Sequence, residues 1–63
     1  MLREEDVYPI NTVVRVKKTG EFAIIRKIHR FIDGSYQHYL GEIEGKKGLY
    51  VIYHEDVELE ARA

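Results

Sequence analysis

The chain has 63 residues, of which 33% are charged and 44% apolar, with a formal net charge of −1 and no cysteine. That is the composition of one small globular domain, and it excludes a disulfide framework and a thiolate metal site. The apolar runs are only a few residues long, too short for a membrane-spanning helix or the core of a signal peptide, so a soluble cytoplasmic protein with no membrane partner is expected.

Residues 1–8, "MLREEDVY", are charged and unpatterned, and read as a flexible lead-in with room for a short helical turn. Pro9 then fixes an extended start. In "NTVVRVKK", Val14 and Val16 recur at strand period with Val13, Arg15 and Lys17 opposite, which predicts a β-branched strand over Thr12 to Lys17. "KTGE" is a turn in which Gly20 is free to take a positive φ.

"FAIIRKIHRF" is rich in strand formers, but its alternation slips, because Phe22, Ile25 and Ile28 cannot share one face of a flat strand. A bulge or strong bend between them would turn all three inward and leave Arg26 and Lys27 as wet exterior. "DGS", Asp33 to Ser35, is a hairpin turn. In "YQHYLGEIE", Tyr39, Gly41 and Ile43 fall on one face, with Tyr36, His38, Leu40, Glu42 and Glu44 on the other. A glycine within a strand marks a bend or a close backbone approach, and here it is Gly41. "GKKG" makes the next hairpin, and "LYVIY", with no charged residue among its five, predicts a strand that is central or covered on both faces. "HED" is a short turn, "VELE" a last strand with Val57 and Leu59 inward, and "ARA", residues 61–63, a frayed tail.

Five short strands joined by tight turns predict a small all-β barrel or sandwich over residues 9–60. The order "VVRVKKTGEFAIIRKI…YLGEIEGKKGLYVIYHEDVEL" resembles the SH3-like small β-barrels of the KOW and Tudor-like kind found in bacterial and phage proteins. The resemblance implies a five-stranded barrel with a single 3₁₀ turn, here His54 to Asp56, before the last strand. It implies less about function, since this fold hosts unrelated activities. Relative to peptide-binding SH3 domains the chain has Tyr8 beside Pro9, Tyr50 and Tyr53, but no tryptophan and no proline before the 3₁₀ turn. Relative to the KOW motif, Ala23 stands where a glycine is usual. "VRVKKTG" is also similar to the "VRKKSG" turn of type II dihydrofolate reductases, tetrameric SH3-like enzymes. In the strand that forms their pore, however, Val51 stands where the family carries a folate- and nicotinamide-binding glutamine.

Little in the chain points to catalysis or to a cofactor. His29, His38 and His54 show no HxH or HxxxH spacing, so a metal site would need tertiary convergence. Ser35, the one serine, lacks a nucleophile elbow, and Glu42 and Glu44 read as a solvated strand exterior. "GEIEGKKG" has neither the spacing nor the helix of a phosphate loop.

Charge is unevenly placed. Arg15, Lys17, Lys18, Arg26, Lys27 and Arg30 crowd one stretch with a single acid, Glu21, whereas from Asp33 onward seven acids outnumber Lys46, Lys47 and Arg62. Two binding readings follow. In one, the six basic residues meet nucleic-acid phosphates, with Tyr36 or Tyr50 as a stacking platform; the net charge of −1 weighs against it. In the other, Tyr8, Leu40, Tyr50 and Tyr53 form an aromatic patch with charged rims that binds a protein, since tyrosine is enriched at interface hot spots. A chain this short buries only about 60% of the surface its unfolded form exposes, and opposite charge on its two halves suits a homo-oligomer. A non-catalytic protein-interaction module is the favoured expectation.

Overall fold

The computed structural model describes residues 2–60, and the tail expected to fray, 61–63, lies outside the described residues. The fold is all-β: five antiparallel strands, β1 (Val13–Val16), β2 (Phe22–Arg30), β3 (Tyr36–Ile43), β4 (Tyr50–Ile52) and β5 (Val57–Leu59), curl into a half-barrel in the order β4-β3-β2-β1-β5. The helical pieces among the described residues are two 3₁₀ turns, Glu4–Asp6 in the lead-in and His54–Asp56 before β5, the second where the sequence places it.

The curl comes from β2 and β3. Ile25 pairs with Gly41 and Lys27 with Leu40, so Arg26 is an extra residue in β2, the bulge that the broken alternation predicts. It lets Ile25 and Ile28 both reach the core. Asn11, at φ +74°, sits beside this bulge: its N–H donates to the Ile25 carbonyl and its Oδ1 accepts from Arg26 Nη1. Asparagine is among the few residues that tolerate this left-handed conformation.

Phe22 does not turn inward. The bulge follows Ile25, so Ala23 and Ile25 share the core face, and half-buried Phe22 lies opposite exposed Arg15 on the outer one. A second bulge leaves Gln37 unpaired between the His29–His38 and Arg30–Tyr36 pairs. It moves Tyr36 from the outer face expected for it to one where the ring packs against the core. At the chain's other end Val57 is buried, but Leu59 is 56% exposed, because β5 is an edge strand and nothing described covers its end.

The core is small: Val14, Ala23, Ile25, Tyr39, Ile52 and Val57, flanked by half-buried Val7, Tyr8, Val16, Ile28, Tyr36 and Ile43. Gly41 fills a contact in it where no side chain fits, because a Cβ there would lie 2.7 Å from the Ile24 carbonyl oxygen and 2.7 Å from Ile52 Cδ1. β4 is the largest departure from expectation. It is not covered on both faces but is an edge strand, with Ile52 inward and Leu49, Tyr50, Val51 and Tyr53 exposed. An apolar run reads as a buried strand only if both its faces are covered; here the domain has too few elements to cover the second.

Candidate interaction surface

The outer face of β2, β3 and β4 is built row by row from the strand register. Lys27 lies opposite Leu40, which lies opposite Val51. In the next row His29 lies opposite His38, and the Tyr53 ring meets His38 edge-on at 6.0 Å between centroids. Leu49, Val51 and Tyr53 are about half exposed (50%, 51% and 47%). Tyr50 pairs with Gly41 at the strand's start, and Lys46 Nζ sits 5.8 Å from its ring centroid, a cation–π contact. Leu40 and Tyr53, the residue after β4, thus fall on the outer face, whereas Tyr50 lies opposite inner-face Gly41 and is turned to the other side of β4.

Tyr8 goes elsewhere. It stacks on Tyr39 at 5.9 Å and lies tilted against His54 at 4.6 Å, in an aromatic cluster completed by Tyr36. Hydrogen bonds tie the cluster together: Tyr8 N–H donates to Tyr39 Oη (2.9 Å), Tyr39 Oη lies 2.8 Å from His54 Nδ1, and His54 N–H donates to Tyr36 Oη (2.9 Å). Burial disfavours phenolate, raising the Tyr39 hydroxyl and pushing Tyr36 up to about 12 against the opposing pull of the His54 N–H.

The basic residues split in two. Arg15 is paired with Glu58, Arg26 Nε lies 3.2 Å from Glu42, and Arg30 makes a two-point contact with Glu4 at 2.6 and 2.8 Å. The hydrogen bond from Arg30 holds the Glu4 carboxyl below its ordinary value. Lys17, Lys18 and Lys27 are exposed, the first two in the turn after β1. Shallow open depressions of about 380 and 340 Å³ flank Phe22 on this side of the sheet, one toward Lys46 and one toward Glu58.

Sequence reasoning missed Leu49 and Val51 as surface residues, because their exposure depends on strand order. It also missed the meeting of His29 with His38. Counting outward along the hairpin does not give it: the Arg30–Tyr36 pair would set His29 opposite Gln37, and only the extra residue Gln37 brings His38 there instead. Among the described residues no helix is long and apolar enough to cross a membrane. Compared with family models, curated proteins and solved structures, the chain matches none of them.

Proposed function

We propose that the chain is a non-catalytic protein-interaction module on an SH3-like scaffold, and that the partner its surface specifies is a second copy of itself pairing through β4. The strand order and the 3₁₀ turn before β5 support the scaffold. One observation carries the function: β4 is an edge strand whose exposed apolar residues, Leu49, Tyr50, Val51 and Tyr53, are bracketed by Lys46 and Lys47 on one side and Glu55 and Asp56 on the other. Natural edges are blunted by shortness, lysine, proline or bulges; β4, Tyr50–Ile52, is short, but carries no lysine, proline or bulge.

Antiparallel pairing about a two-fold axis at Val51 sets the basic end of one copy toward the acidic end of the other, so a single surface is complementary to itself. Strand addition of this kind supplies main-chain hydrogen bonds, while Leu40, Val51 and Tyr53 supply apolar contact. The arginines of β1 and β2 already face carboxylates, which favours this reading over a phosphate-binding face.

The test is light scattering after size exclusion over a wide concentration range, with fluorescence anisotropy of labelled DNA and RNA on the same sample. A concentration-dependent dimer is expected, lost in Val51→Lys, which keeps the wild-type circular dichroism. A wild type that stays monomeric throughout overturns the proposal. So does salt-sensitive nucleic-acid binding that disappears when Lys17, Lys18, Arg26 and Arg30 are neutralised.

A further inference from the structure

We propose that His29 and His38 form a two-point site for one divalent transition-metal ion, with Cu²⁺ bound most tightly. The rings face each other from neighbouring strands, centroids 4.8 Å apart and planes at 84°, with His29 Nδ1 3.1 Å from His38 Nε2. Without metal, this contact is a hydrogen bond in which one nitrogen carries the proton. If the donor ring takes its other tautomer, both nitrogens carry lone pairs, and a small rotation of the two rings turns them toward a common point.

The geometry fits one ion between the two rings, and affinity ranks the candidates. Two imidazole nitrogens 3.1 Å apart, each about 2.0–2.1 Å from a metal, subtend an angle of about 100° there. That lies between the right angle of a tetragonal site and the angle of a tetrahedral one, so Cu²⁺, Ni²⁺ and Zn²⁺ can all be held. Cu²⁺ stands highest among first-row divalent ions for a given ligand set. The frame is fixed on both sides, by the extra residues Arg26 in β2 and Gln37 in β3 that set the register pairing the two histidines. His29 is exposed and His38 half-buried, so the ion enters from solvent. The described residues hold no cluster of three or more histidine, cysteine, aspartate or glutamate ligands, so water fills the remaining positions. The two ligands lie nine positions apart on the two arms of a hairpin, a convergence that no short spacing motif encodes.

The assay is titration of the untagged full chain with Cu²⁺ in a non-coordinating buffer at neutral pH, read by calorimetry and by electron paramagnetic resonance. One ion per chain with hyperfine structure from two imidazole nitrogens is expected. His29→Asn and His38→Asn should each weaken binding by at least about tenfold, since losing even an outer-shell partner of a metal site costs about 10–100-fold. A second readout needs no variant: substoichiometric Cu²⁺ should broaden the ring resonances of His29 and His38 before those of His54. Either variant folding normally and binding Cu²⁺ like the wild type, or His54 broadening first, overturns the proposal. Neither result bears on dimerisation, which light scattering reads separately.

Discussion

Replacing Gly41 with alanine adds one methyl group at the tightest point of the fold. Gly41 is not among the positive-φ glycines, so the backbone itself accepts alanine, and the less flexible unfolded chain would favour the variant by about 0.4–1 kcal/mol. Against this stand two contacts at 2.7 Å. The Ile52 Cδ1 methyl can rotate away. The Ile24 carbonyl cannot, because it is backbone of β2 next to the Ile25–Gly41 pair, so β2 and β3 must part locally. Overpacking costs about 1–3 kcal/mol, and a backbone contact this close falls in the upper part of that range, at about 2–3 kcal/mol, which leaves a net loss of at least about 1 kcal/mol. A domain of this size holds roughly 3–9 kcal/mol in total at the usual stability per residue. Each kcal/mol moves the melting temperature of so small a domain by about 4–8 °C, so Gly41→Ala should melt at least about 4 °C lower by circular dichroism. Adding Ile52→Val removes the Cδ1 contact, and the double variant should cost less than the sum of the singles. A Gly41→Ala protein that melts at or above the wild type would show that the β2–β3 spacing is not as tight as described.

The two apolar residues once expected to act alike in β2 should separate. Ile25→Ala should cost about 2–5 kcal/mol as a core truncation, whereas half-buried Phe22→Ala should cost about 1 kcal/mol; equal urea midpoints would refute the assigned faces. Tyr36 holds its proton up to about pH 12 in the fold against an ordinary value of 10.0. Its contribution is therefore fully present below pH 10 and lost as pH climbs through 12. Tyr36→Phe should flatten the fall in stability across that window, and an unchanged slope there would exclude Tyr36 as the cause. Tyr39→Phe removes the acceptor of the Tyr8 N–H and should cost about 1 kcal/mol, with a shift of the His54 ring resonances; a silent His54 would contradict the contact between them.

Local chemistry made the elements of this fold legible. Gly20 takes φ +78° in its turn, Val14 is buried as its period requires, and Tyr39 and Gly41 share the inner face of β3. What stayed hidden is what neighbouring elements decide. The slip in "FAIIRKIHRF" announces one extra residue but not which one. Placing it at Arg26 exchanges Phe22 for Ala23 on the core face. Likewise "LYVIY" is equally apolar in the middle of a sheet or at its edge, and only the order of strands determines which.

The charge pattern shows how strand order remakes a linear signal. Along the chain, bases gather between Arg15 and Arg30 and acids later, a segregation that suggests a basic face. The antiparallel order places β1 beside β5 and β2 beside β3, so Arg15 meets Glu58 and Arg26 meets Glu42, while Arg30 reaches back to Glu4 in the lead-in. Exposed pairs of this kind add little stability, but they bring each of these arginines to a carboxylate within the same chain. Among the described residues, β4 has a strand neighbour on one side only. The bases before it and the acids after it lie at opposite ends of one exposed apolar run, and an antiparallel copy of the same run brings opposite charges together. On the proposed pairing through β4, a sequence whose net charge is −1 would meet a second copy with opposite charges facing.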